Sequence, residues 1–141
     1  MKKISILFVS ALTLGAVFTS CNKDDDNSSA TTSIEAKWVY AKEGVIVDDT
    51  EVLHDYVNDC STKADYIQLK TGGTLDDVWY DNECAEDITP GSWLKNGNNI
   101  AVSMDGVNRT VEIMILNETT LKVKYTDPET MEEIVQVFTR G

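Results

Sequence analysis

The sequence predicts an all-β fold, built as an antiparallel meander barrel or sandwich with one short helix. Apolar and polar residues alternate in stretches such as residues 67–70, which is the period of a half-buried strand. Residue pairs that favour tight reversals, Gly72-Gly73 and Asn96-Gly97, separate these stretches. The spacing indicates about seven or eight short strands.

Residues 1–20 have the pattern of a secretory signal peptide. Two lysines form its positive end, and the apolar stretch 4–18 is too short to span a bilayer comfortably. The run Phe18-Thr19-Ser20-Cys21 resembles a bacterial lipobox. It predicts cleavage before Cys21, acylation of its thiol and lipid anchoring at the bacterial outer membrane, with ordinary cleavage and a free thiol as the alternative.

Residues 21–33 are predicted to be the lipidated end and a flexible tether, since they have little to bury. The run Lys23-Asp24-Asp25-Asp26 resembles the acidic export signal that some Gram-negative bacteria use to send lipoproteins to the cell surface. The alternative is a solvated linker on the periplasmic face. Surface and periplasmic locations both stay open.

Residues 34–141 are long enough for one domain with a single core. The 141 residues carry 12 basic and 24 acidic side chains, a formal net charge of −12. Loss of the two lysines of the signal would make it −14. A field of that sign repels phosphate backbones and anionic lipid, so we expect no nucleic-acid partner and no membrane contact besides the acyl anchor.

With Cys21 assigned to lipid, Cys60 and Cys84 remain as an even pair in an oxidising compartment. A disulfide between them is the favoured prediction. Two free thiols or a metal pair are the alternatives, although the other ligands that a metal site requires are missing.

The first strand is predicted over residues 34–43, with an extension over 45–47 after a turn at Gly44. Further strands are predicted at 67–70, 74–80, 92–95, 100–104, 110–116, 121–125 and 133–140. In the strand at 110–116, Val111, Ile113 and Ile115 share one face.

The one helix is predicted over residues 51–58. Asp48-Asp49-Thr50 supplies N-cap candidates, and four apolar residues of the segment fall at helical spacing. We expect the apolar face of this helix to close one end of the barrel.

Four short motifs resemble the small bacterial lipocalin-like lipoproteins, a family of uncharacterised members. They are Ala36-Lys37-Trp38, Asp65-Tyr66-Ile67-Gln68-Leu69 with Gly73-Thr74-Leu75, Gly91-Ser92-Trp93 with Asn96-Gly97-Asn98, and the ending Phe138-Thr139-Arg140. The resemblance implies an up-and-down barrel of about eight strands over residues 34–141. It also implies that Trp38 packs under Arg140, a cation–π contact that closes the barrel.

The sequence contains few of the parts that an enzyme needs. His54 is the only histidine, and no glycine-rich phosphate loop or metalloprotease motif is present, so we expect no catalysis and no cofactor. The densest acidic cluster could in principle coordinate calcium, but a solvated hairpin is favoured because no spacing matches a known calcium loop. Its members are Asp76, Asp77, Asp81, Glu83, Glu86 and Asp87.

Several side chains are candidates for either a ligand cavity or a packed core. They are Tyr40, Ile67, Leu69, Leu75, Trp79 and Trp93. A filled core is the favoured interpretation, because a barrel of about eight strands has an interior just wide enough for side chains or one small ligand. The first functional hypothesis is a non-catalytic barrel that binds a small hydrophobic ligand. The alternative is an interaction or inhibitor module that docks an envelope or host protein through its loops or acidic face. An apolar internal void would favour the first, and a packed interior with an exposed apolar patch the second.

Overall fold

The computed structural model describes residues 32–141, and these contain nine antiparallel strands and no helix. The strands are β1 (Ala36–Val47), β2 (Thr50–Asp55), β3 (Tyr66–Leu69), β4 (Thr74–Tyr80), β5 (Glu86–Asn96), β6 (Asn99–Met104), β7 (Val107–Leu116), β8 (Thr120–Thr126) and β9 (Glu133–Arg140). None of the described residues belongs to a helix with the length and hydrophobicity to cross a membrane. The signal peptide, Cys21 and nearly all of the tether lie outside the described residues.

Eight of the strands close into a barrel. From β3 to β9 each strand pairs with the next one along the chain, β1 pairs with β3, and β9 returns to pair with β1. The closing ladder runs from Trp38 opposite Arg140 to Ile46 opposite Glu133. The predicted all-β, antiparallel up-and-down barrel is therefore confirmed, and closure leaves these eight strands without a long unpaired edge.

The predicted helix over residues 51–58 is wrong. Strand β2 covers residues 51–55 of this stretch and pairs with the second half of β1, beginning with Val47 opposite Thr50. Asp48 and Asp49 have φ angles of 49° and 61°, so they form the two-residue hairpin turn whose central residues both need positive φ. A short apolar run does not distinguish helix from strand, and the hydrogen-bonding edge of β1 decided the outcome here.

The expected turn at Gly44 is also wrong, because Gly44 lies inside β1. A Cβ atom at this position would lie 1.9 Å from the carbonyl oxygen of Val52, so only glycine permits this approach of β2. The Nζ of Lys122 on β8 lies 2.5 Å from Glu51 Oε2 on β2. Since β1 and β9 separate these strands in the sheet, the β1–β2 hairpin folds back over the outer face of the barrel.

Two β-bulges interrupt the alternation of side chains. The first lies between Tyr40 and Lys42 on β1, and the second between Ile113 and Ile115 on β7. The extra residue in β7 puts Ile115 opposite Lys122 and leaves it 42% exposed, so the expectation that it shares the face of Ile113 is wrong.

The hydrophobic core fills one end of the barrel, which we call the base. Trp38 and Leu75 are completely buried there, and Trp38 Nε1 donates a hydrogen bond of 2.8 Å to the Ile34 carbonyl. The opposite end, called the mouth, carries the β1–β2, β4–β5, β6–β7 and β8–β9 connections, because those strands all leave the base in the same direction.

A second, smaller cluster lies on the outer face of β3 and β4. Cys60, Val78 and Tyr80 are its buried members, and Tyr66 and Cys84 pack against it. The Cys60–Cys84 disulfide is formed, which confirms that prediction. It connects the β2–β3 segment to the β4–β5 loop.

Candidate functional site

A cavity of about 440 Å³ lies inside the barrel. Its walls are the inward-facing side chains of β1 and of β3 to β9, as alternation in a closed barrel requires. The buried apolar side chains of the wall are Leu69, Ile100, Val111, Leu121, Val123 and Phe138. The volume falls in the range of about 300–1,000 Å³ that is typical of small-molecule sites.

The cavity reaches the surface at the mouth. Asp105, which lies in the tight β6–β7 turn, and Val107, which follows it, contribute to the wall of the cavity and are both exposed. Polar and charged side chains concentrate toward this end, among them Asp77, Arg109, Tyr125 and Gln136. The cavity is therefore apolar toward the base and polar toward the mouth, an arrangement suited to an amphipathic molecule.

Tyr40 and Asp77 form a hydrogen bond across the wall of the cavity. The Tyr40 hydroxyl donates to Asp77 Oδ1 at 3.0 Å, and the Tyr40 ring packs against the rings of Tyr56 and Phe138, with centroid distances of 4.8 Å and 4.7 Å. Burial raises the pKa of Asp77, and although the hydrogen bond from Tyr40 opposes this, the net shift is upward. Burial and the nearby Asp77 carboxylate raise the pKa of Tyr40 well above its ordinary value.

Asp65 holds the wall behind Tyr40 in place. It is almost completely buried, and its carboxylate accepts hydrogen bonds from the Tyr56 hydroxyl at 2.8 Å and the Tyr80 backbone N–H at 2.9 Å. The Asp65 carbonyl accepts from the Tyr40 N–H at 3.1 Å. Burial, together with the hydrogen bond to Asp65, raises the pKa of Tyr56. These bonds join the β2–β3 segment to β1 and β4 and fix the position of the Tyr40 ring.

Among residues 32–141, Arg109 is the only cationic side chain in the wall of the cavity. Its guanidinium carbon lies 4.5 Å from the centroid of the Tyr125 ring, a cation–π arrangement. Its Nε is buried and has no hydrogen-bond partner in the part of the chain that the structure describes. Burial raises the pKa of Tyr125, while the charge of Arg109 acts in the opposite direction.

The structure separates the six predicted cavity or core residues into three groups. Tyr40, Ile67 and Leu69 line the cavity. Leu75 is buried in the core of the base, and Trp93 packs against that core while its Nε1 donates to the Thr74 carbonyl at 2.9 Å. Trp79 lies near the end of β4 and is 42% exposed, so it belongs neither to the core nor to the cavity wall.

Trp38 and Arg140 face each other across the closing ladder. The guanidinium carbon of Arg140 lies 4.9 Å from the centroid of the Trp38 ring, and Arg140 Nη2 donates to the Ser33 carbonyl at 2.5 Å. The contact joins the first and last strands to the segment that leads into β1. It supports the base of the barrel and is remote from the mouth.

The acidic cluster at 76–87 is dispersed in the structure. Asp77 faces the cavity, whereas Asp76 on the other face of β4 pairs with Lys70. Asp81 Oδ1 accepts hydrogen bonds from the backbone N–H groups of Glu83 and Ala85. Glu86 accepts from the Tyr80 hydroxyl at 2.9 Å. Within residues 32–141, no three histidine, cysteine or acidic side chains converge in a group that could hold a metal ion.

Sequence reasoning did not place any of the three charged residues of the cavity wall, Asp77, Asp105 and Arg109, in the interior. A signal for Arg109 was present, because it alternates with Val107 and Val111 and so belongs to their face. The predicted strand began at residue 110, which left Arg109 in the preceding turn. A predicted strand that began at Val107 would have placed Arg109 on an apolar face.

Six chains of solved structures match this chain. One is an uncharacterized protein from Bacteroides eggerthii, with a TM-score of 0.55 at 10% identity over 75% of this chain and 98% of that one. This likeness shows a shared fold. Another is aphrodisin, a sex pheromone from female hamster, with a TM-score of 0.42 at 14% identity over 77% of this chain and 76% of that one, and a TM-score this low does not establish a shared fold. None of the curated proteins matches the chain.

The family model that matches is that of the lipocalin-like domain, and it covers residues 34–123. The match spans well over half of the chain. It includes the closing tryptophan on β1 and most of the strands whose side chains surround the cavity. The chain belongs to the family of lipocalin-like domains.

Proposed function

We propose that this barrel binds a small, largely apolar ligand in its internal cavity and does so without catalysis. The observation that carries the proposal is the cavity itself, about 440 Å³ with a buried apolar wall and an opening at the mouth. The lipocalin-like fold is typically a binding rather than a catalytic fold. An internal void favours ligand binding, because a module that only docks other proteins is expected to have a packed interior.

The energetics of binding follow from the apolar wall. A ligand that removes apolar surface from water gains about 25 cal/mol per Å² of buried surface, and the preformed walls limit the ordering cost. The Tyr40–Asp77 hydrogen bond already satisfies polar groups of the wall, so an apolar molecule can lie against it without stripping a partner from them.

The test uses the neutral fluorescent dye N-phenyl-1-naphthylamine as the probe. We expect Val102→Phe, which adds a ring inside the cavity, to weaken binding of the dye by about tenfold or more. Ala101→Phe is the matched control, because Ala101 is exposed and lies on the opposite face of β6. Equal binding by both variants and the wild type, or no binding by the wild type, would reject the cavity as a binding site.

We also propose that the chain is a lipoprotein held at the bacterial outer membrane through acylated Cys21. The signal-like residues 1–20 and the lipobox-like run that ends at Cys21 support this proposal. Mass spectrometry of the mature amino terminus should show a lipid-modified cysteine, and Cys21→Ala should release the protein from membranes. A mature protein with an unmodified first residue would refute it.

A further inference from the structure

The side chain of Arg109 is unusual for the wall of an apolar cavity. It lies on the cavity-lining face of β7 between Val107 and Val111, and it is opposite Val102 on β6. Placing a cation among apolar side chains costs stability unless the charge finds a partner. The Tyr125 ring offers one face to the guanidinium, but an aromatic ring does not use the N–H donors that point along the guanidinium plane.

The protein itself leaves these donors underused. Arg109 Nε is buried without a partner. Among residues 32–141, no carboxylate lies within 4.0 Å of the guanidinium in an ion pair. Asp127 is close enough for the charge of Arg109 to help lower its pKa, but the larger causes are the backbone N–H groups of Glu129 and Thr130, and Asp127 Oδ1 accepts from both.

We infer that Arg109 binds the carboxylate head of an amphipathic ligand whose apolar tail occupies the cavity toward the base. This inference rests on the proposed function and specifies the chemical class of its ligand. A guanidinium presents a planar fork of donors that matches a carboxylate, and within residues 32–141 no carboxylate forms an ion pair with it. Leu121, Val123 and Phe138 would then surround the tail.

The net charge of the protein does not explain a preference for carboxylate ligands. A chain with a formal charge of −12 repels anions at long range, so any preference for an anionic ligand must come from a short-range contact. Removing the one cation of the cavity wall should therefore abolish the preference, whereas removing a distant cation should not.

The experiment compares two ligands with the same tail, dodecanoate and dodecanol, as competitors of N-phenyl-1-naphthylamine at pH 8. We expect the wild type to bind dodecanoate about tenfold more tightly than dodecanol. In Arg109→Met and Arg109→Gln the ratio should fall to about one while the dye still binds, and Arg109→Lys should give an intermediate ratio. Lys95→Met is the matched control, since Lys95 is exposed, its Nζ donates to the Gly97 carbonyl at the base, and the charge change is the same.

The outcomes separate this inference from the proposed function. Binding of the dye with equal affinities for dodecanoate and dodecanol in the wild type would overturn only the role of Arg109. A preference for dodecanoate that persists in Arg109→Met and Arg109→Gln would also overturn the role of Arg109. Failure of the wild type to bind the dye and both competitors would overturn the proposed function, and this inference with it.

Discussion

At the scale of single residues, the interior of the barrel combines satisfied and unsatisfied polar groups. The Asp77 carboxyl has a partner in the Tyr40 hydroxyl, and the Asp65 carboxylate has partners in a hydroxyl and a backbone N–H. The Nε of Arg109 has none. Since buried polar groups in folded proteins are nearly always paired, Arg109 is the exception among these three side chains of the described residues.

Asp77→Asn should change how stability depends on pH. Burial raises the pKa of Asp77 in the folded protein, so this carboxyl contributes stability that is fully present below its ordinary pKa and lost as pH rises through the raised value. Asparagine keeps an acceptor for Tyr40 but cannot ionise. We therefore expect the variant to be more stable than the wild type at pH 7.5 and equally stable at pH 3, as measured by urea unfolding.

Asp55→Asn provides a control of opposite sign. The hydrogen bond from Lys42 lowers the pKa of Asp55, so that carboxylate contributes stability above its ordinary pKa that is lost as pH falls through the lowered value. Asp55 is exposed, and the effect should be small. An Asp77→Asn variant that is less stable than the wild type at pH 7.5 would contradict the assigned burial effect.

At the scale of elements, β1 organises the barrel. Its first half pairs with β3, its second half pairs with β2, and β9 pairs with it from Trp38 to Ile46. Gly44 permits the close approach of β2. The bulge after Tyr40 changes which side chains of β1 face the interior of the barrel. Together they let one strand pair with three others. The resulting hairpin covers part of the outer face, where Val135 is completely buried opposite Gly44.

Asp49→Gly should stabilise the protein by about 0.5–1 kcal/mol, because glycine adopts the positive φ of this turn without a steric cost. Asp49→Val is the contrasting variant, since a β-branched residue is strained there and should destabilise the protein. Urea unfolding of both variants measures the difference. Destabilisation by glycine would contradict the positive-φ hairpin turn at this position.

At the scale of the whole molecule, the two ends of the barrel have different roles. The base holds the buried Trp38 and Leu75 and the closing contact with Arg140, whereas the mouth holds the polar groups of the cavity. The disulfide lies on the mouth side and ties the long β2–β3 segment, which carries Asp65 and Tyr56, to the β4–β5 loop. It therefore supports both the fold and the wall behind Tyr40.

Removal of the Cys60–Cys84 bond should lower the free energy of unfolding by about 3 kcal/mol, because the closed loop restricts the unfolded chain. In a domain of this size the loss corresponds to a fall in Tm on the order of 10 °C. Calorimetry of the wild type with and without reductant, and of the Cys60→Ser, Cys84→Ser double variant, measures it. The double variant should be insensitive to reductant, and an unchanged Tm in the reduced wild type would refute a stabilising role.

The sequence by itself determined the class of the fold and most of its strands. Alternation and turn residues act over a few positions, so residues 74–80, Asn96-Gly97 and residues 121–125 could be interpreted without knowledge of the partners. The pairing of Cys60 with Cys84 also followed, because the chain offered no other cysteine besides Cys21.

Only the tertiary structure decided what depends on partners distant in the chain. Residues 50–55 became a strand because β1 offered them an edge, and the bulge in β7 turned Ile115 outward, although neither outcome is visible in the local pattern. The cavity also depends on residues that are distant from one another in the chain. Its existence depends on how far eight strands hold their inward side chains apart, and that distance brings Asp77 and Arg109 into one wall.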